Sequence, residues 1–405
     1  MRMRRKPTRS RSESSACPTW LLCLVICLIT LIVLLNVAVI LTLVKNKENG
    51  RIRRFKEAFI HHETNLRDFV IPHETKDDEE QDLGVALVDN DDDGRQHILD
   101  MFKEAEVNLT SDQIEALPTW SQVQEVVGTH PHLLNLESCA RYRETVPPLE
   151  RMLGSAGPFN TGTNLVTHLL KQNCEIPERR EKCGPNESKE CYGMRWQVPW
   201  GKHTPAKFRN KHSTEKAVKI KKEYILPVVT MRNPYSWFKS MCHNCYAAHW
   251  KHGRGDLTCP KLKDPENGEW NPIHVRYGED REDDHISLAH MWNDWYGYYL
   301  KEADYPFVAV RMEDLVFYPK ETIRQVCECA GGKIRTDQAF KFVVESAKKD
   351  SPGHDKTTGI YEAWIKYSKP APAMGGFSEA DFLHSYEALN QTLMDLMGYH
   401  HPPAS

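Results

Sequence analysis

A short glycine-bearing segment near the middle of the chain has the composition of a phosphate-binding turn. Its sequence is Gly157-Pro158-Phe159-Asn160-Thr161-Gly162-Thr163-Asn164, and it follows the apolar-ended stretch 151–154. A turn from a strand into a helix directs its first free backbone N–H groups at one point, and such a point binds anions, usually phosphate. Gly157 and Gly162 have the spacing of a nucleotide-binding P-loop, but Thr163 stands where an ATPase or GTPase carries its lysine. The segment therefore predicts a phosphate cradle without that lysine, and an ordinary strand-to-helix turn is the alternative.

A second segment places a cationic side chain at the end of a buried strand. Residues 225–231 are almost wholly apolar, Arg232 follows them, Pro234 begins a helix, and Ser240 lies on that helix. A guanidinium group forms a charge-assisted fork with a phosphate, and a hydroxyl adds a further donor. Arg232 and Ser240 are thus candidates to bind one phosphate together. A surface arginine followed by an unrelated helical serine is the alternative.

The elements that must position these residues alternate between strand and helix patterns. The candidate strands are 151–154, 195–198, 225–231 and 307–312, and the candidate helices are 163–172, 235–250, 288–302 and 319–330. This alternation predicts an α/β fold with a central parallel sheet flanked by helices. Ligands of such sheets bind beyond the C-terminal ends of the strands, where the cradle and Arg232 are expected.

A third segment, Val308-Ala-Val-Arg311-Met312-Glu313-Asp314-Leu315, again ends an apolar strand on an arginine. With the three segments in this order, the chain resembles the PAPS-dependent sulfotransferases, which bind 3′-phosphoadenosine 5′-phosphosulfate (PAPS) on a P-loop-like fold. In that family a segment reading roughly Lys-Ser/Thr-Gly-Thr-Thr binds the 5′-phosphosulfate. An Arg-x-Pro with a serine eight residues after the arginine binds the 3′-phosphate, and an Arg-Tyr-Glu-Asp-Leu segment follows. The matching residues are 161–164, then Arg232, Pro234 and Ser240, then 311–315, and the resemblance extends from Pro148 to Tyr399.

The resemblance implies a co-substrate, a reaction and a set of contacts. The 5′-phosphosulfate is expected on Asn160, Thr161, Gly162, Thr163 and Asn164, and the 3′-phosphate on Arg232 and Ser240. Lys356 stands where family members carry a basic glycine loop that closes over the nucleotide, and a solvated lysine is the alternative. The implied function is transfer of a sulfuryl group from PAPS to an acceptor hydroxyl, with a glycan as the favoured acceptor.

One departure from the family pattern bears on catalysis. The usual lysine before Thr161 is Asn160 here, and that lysine helps to neutralise the charge that grows on the oxygen between phosphorus and sulfur. An amide donates a hydrogen bond without a positive charge, so Asn160 is a weaker substitute. A catalytically inactive nucleotide-binding or interaction protein on the same fold is therefore the alternative function. A P-loop phosphotransferase would need a P-loop lysine and a metal-binding aspartate, and the sequence has no clear pair.

The candidate general base lies between the two cofactor segments. Soluble members of the family use a Lys-x-His-x-Pro segment there, and this chain has Gly201-Lys202-His203-Thr204-Pro205. His203 is expected to accept the proton of the acceptor hydroxyl, and Lys202 to supply the cation that Asn160 lacks. Adjacent residues face opposite sides of a regular strand, so both can serve only if the chain turns at Gly201. A surface histidine beside a proline-rich turn is the alternative.

The N-terminal part of the chain predicts a membrane anchor. Residues 20–44 form an uncharged run, mostly Leu, Ile and Val, which at about 1.5 Å per residue exceeds the ~30 Å hydrocarbon core. Basic residues flank both ends, so the charges only slightly favour a cytosolic N-terminus. The family's Golgi members share this layout, which implies a single-pass type II Golgi membrane protein with a lumenal catalytic domain. The expected parts are a basic cytosolic tail (1–19), the anchor (20–44), a partly disordered stem (45–96), a helical lead-in (97–147) and the sulfotransferase-like domain (148–400).

Net charge, cysteine content and glycosylation sequons also bear on the partners and the cellular compartment of the chain. The net charge of −3 gives no indication of a nucleic-acid partner. Nine of the 12 cysteines follow the anchor, which favours disulfides in an oxidising lumen and leaves at least one cysteine unpaired. Glycosylation sequons occur at Asn108, Asn186 and Asn390.

Three other patterns have both a functional and a plain interpretation. Cys242, Cys245, His249, His252 and Cys259 have the composition of a zinc site, but a disulfide to Cys259 is favoured, with Cys174, Cys183 and Cys191 pairing elsewhere. Residues 89–100 match the spacing of a calcium-binding EF-hand loop, and an acidic linker is the alternative. Trp292, Trp295, Tyr296 and Tyr299 have helical spacing, which predicts core packing rather than a sugar platform.

Overall fold

The computed structural model describes residues 94–184, 190–211, 220–251, 259–345, 359–368 and 377–402. They belong to one compact unit, Val88–Ser405. The predicted tail and anchor, most of the stem, the sequon at Asn186 and Lys356 lie outside the described residues. Within the described ranges, no helix is both long enough and apolar enough to cross a membrane.

The described chain alternates strands and helices from residue 152 onwards, as the sequence predicts. The strands are β1 (Leu133–Leu134), β2 (Met152–Ala156), β3 (Cys174–Glu175), β4 (Met194–Arg195), β5 (Ile225–Met231), β6 (Ala248–His249), β7 (Ile273–Gly278), β8 (Arg281–His285), β9 (Val308–Arg311) and β10 (Lys333–Ile334). The α-helices are α1 (Gln96–Glu104), α2 (Ser111–Ala116), α3 (Trp120–Val127), α4 (Ser138–Thr145), α5 (Thr163–Asn173), α6 (Pro177–Cys183), α7 (Pro234–His243), α8 (Leu288–Leu300), α9 (Met312–Phe317), α10 (Pro319–Cys329), α11 (Ile360–Tyr367), α12 (Glu379–Ala388) and α13 (Gln391–Leu396).

The central sheet has five strands in the order β1-β9-β5-β2-β4. β9, β5, β2 and β4 run parallel, while β1 pairs with β9 in the antiparallel direction. A mixed α/β fold with a mostly parallel sheet is thus confirmed. Because β2, β5 and β9 are parallel neighbours, the segments that follow them leave the sheet at one edge.

Both faces of the central sheet are covered by helices. Val229 of β5 and Ala309 of β9 pack in one cluster with Trp237 of α7 and with α8, whereas Val228 and Val310 pack on the opposite face with α5 and α10. All seven residues of β5 are buried, which explains why that strand is almost wholly apolar. The aromatic stripe of α8 (Trp292, Trp295, Tyr296 and Tyr299) is at most 1% exposed, so its predicted role in the core is confirmed.

The lead-in helices α1–α3 pack against the C-terminal part of the unit. Ile98 and Phe102 of α1 lie in one cluster with Val123 of α3, Phe317 of α9 and Trp364 of α11. Within the predicted calcium loop, residues 89–93 lie outside the described ranges, and Gln96 Nε2 donates to Asp100 Oδ1 at 2.9 Å.

Two predicted elements end earlier than expected, and one motif was not predicted. β4 is confined to two residues, although Val198 N still donates to the Ser155 carbonyl of β2. α7 ends at His243 rather than residue 250, because Asn244 adopts an extended conformation. The antiparallel pair β7–β8 escaped the sequence-based prediction, since β8 reads Arg-Glu-Asp-Asp-His and lacks the apolar alternation of a typical strand.

Four disulfides cross-link the unit: Cys139–Cys329, Cys174–Cys327, Cys183–Cys191 and Cys242–Cys259, and Cys245 is a buried free thiol. The favoured disulfide to Cys259 is confirmed with Cys242 as its partner, and the described residues contain no group of three metal-ligating side chains. The first two disulfides close loops of 190 and 153 residues. Each would by itself stabilise the fold by about 5 kcal/mol through chain entropy. Four disulfides fit a secreted or lumenal protein.

Candidate active site

The predicted cradle lies between the end of β2 and the start of α5, and two glycines shape it. A Cβ atom on Gly157 would lie 2.1 Å from Thr230 Oγ1 and 2.6 Å from Thr161 Oγ1, so no side chain fits where the loop passes β5. Gly162 has φ +83° and immediately precedes α5, a backbone conformation that glycine adopts most readily. The glycines of the motif are therefore required by local geometry.

The backbone of the cradle presents hydrogen-bond donors at the start of α5. The first hydrogen bond of that helix runs from Val166 N to the Gly162 carbonyl at 3.1 Å. Among the described residues, none accepts a hydrogen bond from the N–H groups of residues 160–163. Together with the positive end of the helix dipole, these N–H groups make an anion-binding arrangement.

The side chain of Thr161 is used inside the protein. Thr161 is fully buried, and its hydroxyl donates to the Pro158 carbonyl and contacts Thr230 Oγ1, each at 2.8 Å. Thr161 is therefore placed to contact a phosphate through its backbone N–H alone. Thr163 is also buried, at the first position of α5.

Asn160 directs its side chain at the C-terminal end of α7. Its Nδ2 donates to the Asn244 carbonyl at 2.8 Å and to the Ser240 carbonyl at 3.2 Å, so it binds carbonyl groups at the end of α7. Its φ is +61°, in the left-handed region where asparagine is enriched among non-glycine residues. The two hydrogen bonds and the left-handed backbone explain why an asparagine occupies position 160, which the sequence did not reveal.

Arg232 links the cradle to two helices. It is 3% exposed, and it donates through Nη1 to the Asn160 carbonyl, through Nε to Ser236 Oγ at 3.0 Å and through Nη2 to Tyr367 Oη at 3.1 Å. Ser236, one helical turn before Ser240, is thus the serine that contacts the arginine. The half-buried Ser240 contributes its carbonyl to Asn160. Arg232 directly follows β5, as the sequence predicts, whereas its partners Ser236 and Tyr367 were not predicted.

Two lysines join Arg232 in a cationic cluster. Burial lowers the pKa of Lys239 on α7. Lys366 on α11 is exposed, yet desolvation of its ammonium group and the charges of Arg232 and Lys239 lower its pKa to about 8. A lysine whose pKa is lowered by two neighbouring positive charges marks a site suited to an anion. Lys366 was not predicted from the sequence, because it lies more than 130 residues from Arg232.

The Arg311–Leu315 segment holds the backbone next to Arg232 in place. Arg311 forms a buried ion pair with Asp314, with nitrogen–oxygen distances of 2.7 and 2.9 Å. Glu313 accepts hydrogen bonds from Asn233 N at 3.3 Å and from Tyr399 Oη at 2.8 Å. Burial raises the pKa of the Glu313 carboxyl. Since Asn233 follows Arg232 directly, Glu313 fixes the backbone that carries the arginine.

The predicted turn at Gly201 is present and brings Lys202 and His203 to the cradle. Gly201 has φ +110°, and a Cβ there would lie 2.6 Å from Thr204 Oγ1. Gly157 N donates to the Lys202 carbonyl at 2.9 Å, which attaches the turn to the start of the loop. The Lys202 ammonium group donates to Asn164 Oδ1 at 2.7 Å, so Lys202 and Asn164 meet as two of the predicted site residues.

The hydrogen bond of His203 fixes its tautomer. His203 Nδ1 lies 2.8 Å from the Gly157 carbonyl oxygen, which can only accept. In the neutral imidazole, Nδ1 therefore carries the proton and Nε2 carries the lone pair. The ring also packs on Phe159, with centroids 4.7 Å apart, and Phe159 stacks on Tyr246 at 5.4 Å. The geometry gives His203 the form that a general base requires.

Comparison of the chain with models of known protein families gives no match, and comparison with proteins of curated function gives none either. The chemistry must therefore be inferred from the site itself. The site combines a backbone anion cradle, a cationic cluster around Arg232, and a lysine–histidine turn, all beyond one edge of the parallel sheet. Of the predicted site residues, Lys356 alone lies outside the described ranges.

Proposed function

We propose that this chain is a PAPS-dependent sulfotransferase on a P-loop-like fold, which transfers a sulfuryl group to a hydroxyl of a glycan. The supporting observation is the convergence of the cradle, Arg232 and the Lys202–His203 turn beside the adjacent strands β2 and β5. PAPS carries two separate phosphate groups, and the site offers two separate anion-binding features. The predicted span 20–44 and the four disulfides support a type II Golgi membrane protein with a lumenal catalytic domain.

Each group of residues in the site has a separate role in the proposed sulfuryl transfer. The N–H groups of residues 160–163 hold the 5′-phosphosulfate, while Arg232 with Lys239 and Lys366 holds the 3′-phosphate. His203 Nε2 accepts the proton of the acceptor hydroxyl as its oxygen bonds to sulfur. The bond from sulfur to the phosphate oxygen breaks at the same time. Lys202 offsets the negative charge that develops on that oxygen.

The alternative is an inactive nucleotide-binding protein on the same fold. One observation favours it: the Asn160 amide group donates to the carbonyls of Ser240 in α7 and of Asn244 just after it, so Asn160 supplies neither charge nor hydrogen bond to the leaving oxygen. The two proposals share the anion sites and differ only in turnover. Binding and transfer must therefore be measured separately.

The test uses the full chain in detergent. Isothermal calorimetry compares adenosine 3′,5′-bisphosphate with adenosine 5′-phosphate, and ³⁵S-labelled PAPS is incubated with glycan and peptide acceptors. We expect Arg232→Ala to weaken the bisphosphate by about 10- to 100-fold and the monophosphate little, since a charge-assisted hydrogen bond contributes about 1.5–3 kcal/mol. Arg324→Ala, at an exposed arginine paired with Glu321 and Glu328, is the matched control.

The outcomes separate the hypotheses. Binding with transfer that is lost in His203→Ala supports the enzyme. Binding without transfer to any acceptor supports the inactive protein. If wild-type protein prefers neither nucleotide, or Arg232→Ala binds both normally, the assignment of the 3′-phosphate site is wrong.

A further inference from the structure

The antiparallel pair β7–β8, here called the hairpin, contacts the turn that carries His203. Arg281, the first residue of β8, donates through Nη1 to the Trp200 carbonyl at 2.8 Å. A Cβ atom on Gly201 would lie 3.8 Å from the same nitrogen, so the guanidinium group packs beside the glycine at which the chain turns. A hydrogen bond from a charged donor is stronger than one between neutral groups. The hairpin therefore holds the residues that lead into His203.

The hairpin leaves room for this guanidinium group at one glycine. Gly278 of β7 is paired with Arg281, and the register of the two strands shifts between Arg276 and Gly278. A Cβ atom on Gly278 would lie 2.5 Å from Arg281 Nη2 and 3.2 Å from its Cζ. A glycine in a strand often marks such a bulge or the close approach of another group. The absence of a side chain at position 278 thus allows Arg281 to reach Trp200.

Two further contacts hold the end of the turn. Trp295 of α8 is fully buried, and its Nε1 donates to the His203 carbonyl at 2.9 Å. Lys207 follows the turn, forms an ion pair with Asp283 of β8 at 2.6 Å, and donates to Tyr298 Oη at 2.9 Å. The hairpin and α8 therefore hold both the beginning and the end of the turn.

The position of the His203 ring depends on where this turn lies. Its Nδ1 lies 2.8 Å from the Gly157 carbonyl oxygen, and Gly157 N donates to the Lys202 carbonyl at 2.9 Å. The turn and the cradle thus meet through one contact of the ring and one of the backbone. A reacting group that is displaced by about 1 Å can slow a reaction about 100-fold. The placement of the turn therefore affects how well His203 Nε2 can act as a base.

We propose that Arg281 is a positioning residue, which holds the turn 200–204 against the cradle and so places His203 for proton transfer. Arg281 acts through the Trp200 carbonyl rather than on the reacting atoms. The catalytic consequence rests on the proposed sulfotransferase function, but the placement of the turn can be tested without turnover.

The first experiment measures hydrogen exchange of the Gly157 amide in the full chain in detergent, resolved to single amides by mass spectrometry. This amide is protected by the Lys202 carbonyl, so its exchange reports the detachment of the turn from the cradle. Arg281→Met removes the donor and retains an unbranched side chain, and it should speed the exchange by about tenfold. Arg281→Lys retains a donor and should speed it less.

The same hairpin supplies a matched control. The side chain of Arg276 is 66% exposed and pairs with Glu282 at 3.1 Å. Arg276→Met therefore removes an arginine from β7 without removing a contact to the turn, and it should leave the exchange of Gly157 unchanged. The amides of β5 report global opening and should exchange at the wild-type rate in all of these variants.

A second variant tests the contact from the opposite strand. The methyl group of Gly278→Ala should displace the guanidinium group and speed the exchange of Gly157 by about tenfold. Added to Arg281→Met, the same substitution should have less than about a twofold effect, because both changes remove one contact. Full additivity of the two effects would contradict the role given to Gly278.

The third experiment measures transfer from ³⁵S-labelled PAPS. In Arg281→Met, kcat should fall about tenfold while the affinity for adenosine 3′,5′-bisphosphate changes less than about threefold, since the N–H groups of the cradle and Arg232 are retained. Arg281→Lys should recover part of the lost kcat. Arg276→Met should transfer at the wild-type rate.

The results distinguish this inference from the function on which it rests. Unchanged exchange of Gly157 in both Arg281→Met and Gly278→Ala would overturn the positioning role even if the protein is an active sulfotransferase. Equally faster exchange in β5 would also overturn it, because the whole fold would then be destabilised. Faster exchange at Gly157 alone, in a protein whose wild type transfers no sulfuryl group, would retain the placement of the turn and reject the proposed function. Faster exchange with a normal kcat would overturn the link between Arg281 and proton transfer.

Discussion

The cationic cluster around Arg232 predicts that nucleotide affinity depends on pH in the alkaline range. In the free protein, desolvation and the charges of Arg232 and Lys239 lower the pKa of Lys366 to about 8. A 3′-phosphate bound among these groups would favour the charged ammonium and return its pKa toward the ordinary value of about 10.4. Binding above pH 8 must then be accompanied by uptake of a proton.

The magnitude follows from the two pKa values. At pH 7 Lys366 is already charged in the free protein, so protonation costs almost nothing. At pH 9, one unit above the free pKa, about one molecule in eleven carries the charge, and affinity should be about tenfold lower than at pH 7. A phosphate monoester has its second pKa near 6, so the ligand keeps its charge over this range. The lowered pKa of Lys239 acts in the same direction.

Calorimetric titration of the full chain with adenosine 3′,5′-bisphosphate between pH 7 and 9.5 tests this reasoning. Buffers with different ionisation enthalpies report the proton uptake directly. Lys366→Arg should remove most of the decline, because guanidinium stays charged, and Lys366→Gln should bind more weakly at pH 7 with a similarly flat profile. A wild-type affinity that is constant from pH 7 to 9.5, or a Lys366→Arg profile identical to wild type, would refute a contact between Lys366 and the anion.

Two further predictions concern the scaffold of the site. Gly157→Ala should destabilise the protein by about 1–3 kcal/mol and weaken nucleotide binding, because its methyl group would overlap Thr230; thermal unfolding and calorimetry would show this, and a stable variant with normal affinity would contradict the tight loop. Glu313→Ala should lower the free energy of unfolding by about 2–4 kcal/mol, because it leaves the Asn233 N–H and the Tyr399 hydroxyl without an acceptor. Glu313→Gln should cost less than about 1 kcal/mol, since burial already raises the pKa of Glu313 and disfavours its charged form. Urea unfolding at pH 7 compares the two variants, and an equal loss of unfolding free energy in both would contradict this prediction.

The central strands were predictable because their local pattern and their environment agree. β5 is buried on both faces, so it is an almost wholly apolar run with the predicted bounds. β8 lies at the edge of a small sheet and carries five charged or titratable side chains in a row, and its pairing with β7 depends on register rather than composition. Sequence periodicity cannot detect a strand of that kind.

The position of a candidate site residue was predictable where the same short segment contains both the residue and the local signal that places it. The cradle, Arg232 and the Gly201 turn each follow a strand or include a glycine, which are local signals. Tyr367 accepts a hydrogen bond from Arg232 although the two residues are 135 positions apart, and the adjacent Lys366 adds a positive charge whose pKa Arg232 lowers. No local pattern marks such a contact, and it becomes visible only when the fold brings α11 to the end of β5.

Asn160 shows why one substituted position does not decide whether the chain is an enzyme. When position 160 is compared with the family pattern alone, the asparagine is simply the absence of the usual lysine. In the fold, Asn160 has a left-handed backbone, and its amide group holds the loop through hydrogen bonds to the Ser240 and Asn244 carbonyls. The Lys202 ammonium group lies 2.7 Å from Asn164 Oδ1 in the same cradle. The charge that sulfuryl transfer requires is a property of the assembled site, to which any neighbouring element can contribute. If Lys202 supplies the cation, as proposed, Asn160→Lys in otherwise wild-type protein should raise kcat little, whereas a large increase would show that Lys202 does not supply it.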